Sequence, residues 1–188
     1  IDNESKVPRD EKITILDEIL TCMLPELEGD KVTFIGSTFI KHGDSEPYYS
    51  NCLVVNECDP VEGVEIQCVK NEYDLLCEWA TLICREDPDI IIGYNIFGFD
   101  YEFMFRRALE NGCAEKLLAL SRMTDENGSG ICAKTNQSGM VLEDGIENKQ
   151  LVIASGEYDL KFYDIPGRLQ IDMYAYFRRD FNLSSYKL

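Results

Sequence analysis

The chain has 188 residues, 45% hydrophobic and 28% charged, and a formal net charge of −17. This length and composition suit one globular domain with its own core. No apolar run approaches the ~20 residues of a membrane helix, so no membrane association is expected. The acidic balance, taken alone, argues against nucleic acid binding, because phosphate contacts need Lys and Arg.

Residues 1–11 read as a polar leader with no signal peptide, and the missing initial Met fits a fragment or processed product. Ile13, Leu16, Ile19, Leu20 and Met23 recur at helical spacing, and Pro25 and Gly29 end that helix. Residues 1–28 are therefore expected to be a leader and helix ahead of a main domain over 29–188. The β-rich stretch 30–40 predicts a strand, 42–48 a turn, and 52–55 and 64–69 two more strands, with Asp59-Pro60 as punctuation between them.

Asn71 suits a helix N-cap, with Glu72 and Asp74 in the first turn near the positive end of the dipole. Leu76, Trp79, Ala80 and Ile83 form the apolar stripe of that helix, and Asp87-Pro88 stops it. Ile90-Ile91-Ile92 has the character of a buried, central parallel strand. A helix follows over 100–110, closed by Asn111-Gly112, and another over 113–121. Residues 124–150, rich in Gly, Asn, Ser, Asp and Glu, predict an irregular surface loop with room for one weak hairpin. Strands are expected over 160–165 and 167–171, a helix over 172–181, and a last helix capped by Ser184-Ser185. Strands alternating with helices imply an α/β or α+β domain, a mixed sheet flanked by helices.

The eight cysteines include no C-x-x-C pair and the single histidine is His42, so no structural zinc site is expected. Several cysteines sit in apolar runs as small core hydrophobes. Free thiols in this number point to a reducing, intracellular setting.

The segment that carries chemistry is Asp87-Pro88-Asp89-Ile90-Ile91-Ile92-Gly93-Tyr94-Asn95-Ile96-Phe97-Gly98-Phe99-Asp100. A strand ends at Gly93-Tyr94, a glycine-bearing turn follows, and Asp100 opens the next helix at the carboxyl edge of the sheet, where open α/β folds place their sites. Gly98 lets the backbone approach a ligand closely. An Asp in this position serves either as a helix cap or as an oxygen ligand for Mg²⁺.

This stretch resembles the second exonuclease motif of family B DNA polymerases, whose core of Asn, a short spacer, Phe or Tyr, and Asp maps to Asn95, Phe99 and Asp100. Gly167-Arg168-Leu169-Gln170-Ile171-Asp172-Met173, continuing to Asn182-Leu183-Ser184-Ser185-Tyr186-Lys187-Leu188, resembles the approach to that family's third motif. Gly29-Asp30-Lys31-Val32-Thr33-Phe34-Ile35-Gly36-Ser37-Thr38-Phe39 resembles the strand after its first. The wording is most similar to polymerases of large DNA viruses, with DNA polymerase delta more distant.

The resemblance implies part of a ribonuclease H-like 3′–5′ proofreading exonuclease domain used in DNA replication. The parent would be a DNA-directed DNA polymerase, expected to be viral and to act in host cytoplasm or nucleus. In that family four carboxylates hold two Mg²⁺ or Mn²⁺ ions about 4 Å apart, one activating water and one stabilising the leaving 3′ oxygen. The ions also offer one reconciliation of the acidic charge with DNA, the other being a basic surface elsewhere in the polymerase. Asp100 would be the catalytic metal ligand, Asn95 would orient the turn or contact the nucleotide, and Phe99 would pack beside a frayed, single-stranded 3′ end of the primer-template. Asp172 is expected to be mainly an N-cap or supporting residue, with substrate contact as the alternative, and Tyr186 either stacks on a base or packs in the core. Asp2-Asn3-Glu4 spells the first motif's Asp-x-Glu, but no apolar strand surrounds it. The first motif is therefore expected upstream of residue 1 and the third beyond residue 188, so that the fragment alone is inactive. A competing expectation is an inactive ribonuclease H-like scaffold.

Overall fold

In the computed structural model the described residues are 30–124, 130–153, 156–181 and 185–186. The helix expected over 12–23, the Asp2-Asn3-Glu4 triplet and Ser184 lie outside them. The chain divides into two compact units, Ile1–Lys31 and Val32–Leu188, and the elements below belong to the second.

Strand β1 (Phe34–Phe39) pairs antiparallel with β2 (Tyr49–Val55), and β3 (Glu65–Val69) adds to β2 in parallel. Helix α1 (Glu72–Glu86) starts where Asn71 Oδ1 accepts the Asp74 N–H at 2.8 Å, satisfying one orphan donor of the first turn. Its stripe of Leu75, Leu76, Trp79, Ala80, Leu82 and Ile83 is buried. Glu72 is also buried. Its carboxylate takes Arg107 Nε and Nη2 at 2.8 and 2.6 Å, the Val32 N–H at 2.8 Å and Asn111 Nδ2 at 3.0 Å. Burial alone would raise this carboxyl, but those donors overcome it and hold it below its ordinary value.

Helix α1 ends at Asp87, in the left-handed region. Arg168 Nη1 and Arg122 Nε both donate to Asp87 Oδ1, at 2.8 and 2.7 Å, and Arg122 Nη1 reaches Asp89 Oδ1 and the Gly167 carbonyl. This cluster ties the end of α1 to the turn before β7 (Leu169–Asp172). It sets the parallel pairing of β7 with β4 (Ile90–Gly93), in which Gly93 lies opposite Asp172. After β4 come a π-helical turn (Ile96–Asp100), α2 (Tyr101–Glu110) and α3 (Ala114–Leu117). The hairpin of β5 (Glu147–Ile153) and β6 (Gly156–Phe162) precedes β7, and α4 (Met173–Asp180) follows it.

Three expectations need correction. Strand β4 is not a buried central strand among the described residues. It pairs only with β7, and Ile90 and Ile92 are 45% and 59% exposed. Among the described residues its other edge faces a cavity and not a neighbouring strand. Within 130–150 the chain is more than a surface loop, although the antiparallel bridge of Thr135 with Val141 makes the expected weak hairpin. Cys132, Val141 and Ile146 are buried, the Cys132 N–H donates to the Leu118 carbonyl at 2.7 Å, and β5 begins at Glu147. Polar composition hid this because Asn136 Oδ1 folds the exposed tip by accepting the Ser138 and Met140 N–H groups, while three apolar residues anchor the base. Finally, the helix expected over 113–121 shrinks to one turn, α3.

Candidate active site

The turn after β4 is shaped by what two glycines leave out. A Cβ on Gly93 would lie 2.3 Å from Ile96 Cγ2, and one on Gly98 would lie 2.3 Å from Asn95 Oδ1. The space at Gly98, expected to admit a ligand, is thus taken by the Asn95 side chain. Asn95 sits at φ 62°, ψ 23°, a left-handed conformation that Asn tolerates better than most residues. Its carbonyl accepts the Gly98 and Phe99 N–H groups at 3.1 and 3.0 Å. The chain then runs through the π-helical turn into α2. Single π turns recur at functional sites.

Asp172 holds this turn from the neighbouring strand. It is 6% exposed, and its Oδ1 accepts the Asn95 N–H at 2.8 Å and the Tyr174 N–H at 2.9 Å, while Oδ2 accepts the Phe97 N–H at 3.0 Å. It therefore caps α4 and clamps the turn at once. The sequence shows the cap but not the clamp, because Asn95 lies 77 positions away.

Asp100 closes the π turn in helical conformation and makes no capping hydrogen bond to α2. The helix-cap role that its position invites is not made. Its carboxylate is solvent-accessible at the mouth of a cavity. Partial desolvation pushes its pKa up, its own backbone N–H pulls it down, and the charge of Asp172 raises it further. Behind it, Tyr101 stacks on Tyr163 with ring centroids 4.3 Å apart, and burial drives both hydroxyls up. Tyr101 Oη has no hydrogen-bond partner among the described residues.

Two cavities of about 290 Å³ flank the turn. The first lies between the edges of β1 and β4 and reaches Asp100. The second lies between the turn, β6 and α4, and is reached by Asn95, Gly98 and Asp172. The five expected site residues thus do not surround one cavity. Phe99 is 57% exposed, its ring stacked on Phe103 at 5.4 Å. The Tyr186 ring lies 5.1 Å from the Arg178 guanidinium, and its carbonyl accepts the Tyr94 hydroxyl. Sequence reasoning missed Arg178 itself, although Tyr174 and Arg178 stand at the i, i+4 spacing that brings side chains together on a helix.

Among the described residues no three His, Cys, Asp or Glu side chains gather to hold a metal ion. Asp172 has both oxygens engaged by backbone donors, so Asp100 is the one expected ligand that these residues present. They do not make a two-ion centre by themselves. Among the described residues, no helix is long and apolar enough to cross a membrane.

Residues 13–188 match the family described as DNA polymerase family B, exonuclease domain. The chain is 39% identical over 194 residues to a DNA polymerase of Phaeocystis pouchetii virus, covering 98% of this chain and 18% of that protein. It is 36% identical over 174 residues to a DNA polymerase of Pyramimonas orientalis virus, covering 92% and 13%. With the DNA polymerase delta catalytic subunit of Caenorhabditis elegans the identity is 35% over 168 residues, covering 88% and 14%. The chain thus spans less than a fifth of the length of these relatives.

Proposed function

Because this chain belongs to the exonuclease-domain family of family B DNA polymerases, we propose that it forms part of a metal-dependent 3′–5′ proofreading site in a DNA-directed DNA polymerase used in replication. The observation that carries this reading is Asp100. It ends the strand–turn segment, caps nothing, and opens onto a cavity bordered by two strand edges. A further strand laid between β1 and β4 would give the sheet a ribonuclease H-like order and would bring an Asp-x-Glu pair beside Asp100. The bound Mg²⁺ or Mn²⁺ would supply water activation and charge neutralisation. This chain's part is to hold the Asp100 carboxylate, with Asp172 fixing the turn that carries it and the exposed Phe99 ring offering a face to an unpaired 3′ end.

The viral relatives and the free thiols support an intracellular, viral setting in host cytoplasm or nucleus, with DNA and the remaining polymerase domains as partners. The second reading is an inactive ribonuclease H-like scaffold.

The test is mismatch excision against primer extension in the polymerase that carries this chain. Asp100→Ala is expected to lower excision at least about a hundredfold, the scale of losing one key electrostatic group, with extension intact. Unchanged excision by Asp100→Ala refutes the exonuclease reading, and absence of excision in the unmutated polymerase selects the scaffold. The chain alone is expected to trim no primer.

A further inference from the structure

Asp172 fixes only the first half of the turn after β4, through the Asn95 and Phe97 N–H groups. The second half, which carries Asp100, is held from the end of β6. Tyr163 follows that strand and is fully buried. Its hydroxyl donates to the Tyr101 carbonyl at 2.8 Å, and its ring lies within 16° of parallel to the Tyr101 ring. Its own carbonyl accepts Gln170 Nε2 from β7 at 2.7 Å. Phe97 adds a ring 5.9 Å from Tyr101 and 5.6 Å from Phe162. One side chain 62 positions away thus grips both the ring and the carbonyl of the residue next to Asp100.

Asp100 makes no capping hydrogen bond, so the position of its carboxylate follows the backbone. That backbone is a π turn, closed by the Tyr101 N–H donating to the Ile96 carbonyl. A π turn carries one residue more than an α turn and competes with the regular α-helix. Losing the extra residue would rotate the side chains on one side of the turn by about 100° relative to those on the other. That rotation takes the Asp100 carboxylate away from the cavity between β1 and β4. A phenylalanine at 163 would fill the same space and keep the ring stack. Only the hydroxyl is aimed at one carbonyl, and a satisfied polar bond inside an apolar cluster selects one arrangement of it.

We propose that Tyr163 is a positioning residue for Asp100: its hydroxyl, through the Tyr101 carbonyl, holds the π register that presents the carboxylate to the cavity between β1 and β4. What Asp100 does there rests on the exonuclease reading, while the hold on Tyr101 stands on the contacts alone. Neither tyrosine belongs to the motif formed by Asn95, Phe99 and Asp100, so the motif supplies the carboxylate and a residue from β6 aims it.

Tyr163→Phe removes the hydroxyl and keeps the ring, and it is tested in the polymerase that carries this chain. Single-turnover excision of a mismatched primer end is expected to slow about tenfold, the scale of losing a residue that orients a functional ligand. Affinity for primer-template, excision amplitude and primer extension should not change. A merely structural residue would instead lower the amplitude, the fraction of competent enzyme, and spare the rate constant. In Asp100→Ala the added Tyr163→Phe change should cost nothing further, because the hydroxyl acts through that carboxylate. Hydrogen exchange of the same protein should show lost protection at the Tyr101 amide and retained protection at Asn95 and Phe97, which Asp172 holds. An unchanged rate constant, a loss confined to amplitude, or the same fold loss with and without the Asp100 carboxylate overturns the proposal. The two readings fail separately. If Asp100→Ala excises normally while Tyr163→Phe still exposes the Tyr101 amide, the exonuclease reading has failed and the hold on the turn stands. If Asp100→Ala stops excision and Tyr163→Phe keeps the wild-type rate, the positioning role has failed and the exonuclease reading stands.

Discussion

Replacing Asp172 by Asn changes one atom and removes one acceptor from a carboxylate that serves three donors. An asparagine oriented to keep Oδ1 still accepts the Asn95 and Tyr174 N–H groups, which lie at 2.8 and 2.9 Å, but its Nδ2 then faces the Phe97 N–H across what was a 3.0 Å bond. Leaving a buried donor unsatisfied costs about 1–3 kcal/mol. The two surviving bonds lose their charge assistance, which roughly halves them. The sum is about 2–4 kcal/mol, which for a unit of this size lowers the melting temperature by roughly 5–15 °C. Far-UV circular dichroism melts and urea titration of the chain measure the loss, and amide hydrogen exchange locates it, with protection expected to fall at Asn95 and Phe97. In the parent polymerase Asp172→Asn should reduce excision less than Asp100→Ala, because it loosens the turn without removing the carboxylate at its end. Unchanged exchange at Asn95 and Phe97, or a stability loss under about 0.5 kcal/mol, would refute the clamp, since the cap bond to Tyr174 alone cannot produce the larger effect.

Glu72→Gln removes one of the two carboxylates paired with the buried Arg107, Glu110 remaining as the other, and is expected to cost about 1–3 kcal/mol in urea unfolding. The Glu72 carboxyl is held low in the folded state, so its contribution is present above the unfolded value and is lost as pH falls through the folded one. The gap between wild type and Glu72→Gln must therefore close in acid, and a gap constant from pH 7 to pH 3 would contradict the ion-pair account. Asp100 has the opposite sign. Its carboxyl is raised on folding, so its charge works against the fold as pH rises through the carboxylate range. Asp100→Asn should melt higher than wild type at pH 7 and at the same temperature at pH 3, and a variant less stable at pH 7 would show that the carboxylate makes a supporting contact.

What the sequence determined is what neighbouring residues decide among themselves. Asn71 capping α1, the buried stripe of Leu76, Trp79, Ala80 and Ile83, the stop at Asp87-Pro88 and the turn between Gly93 and Asp100 all follow from side chains within a few positions of one another. The motif wording carried the family as well. The tertiary structure decided everything that depends on partners distant in sequence. Ile90-Ile91-Ile92 has the composition of a central strand, yet burial belongs to the neighbour and not to the strand, and here β4 has only β7 beside it among the described residues. Asp172 has the same local signal whether it caps one helix or clamps a turn on the adjacent strand. Only the parallel register that sets Gly93 opposite Asp172 makes it both. Three tyrosines around Arg178 come from β6, α4 and the segment beyond it. No spacing rule joins them, because a hydrogen bond or a ring contact is fixed by distance in space, which the chain reaches only when its layers pack.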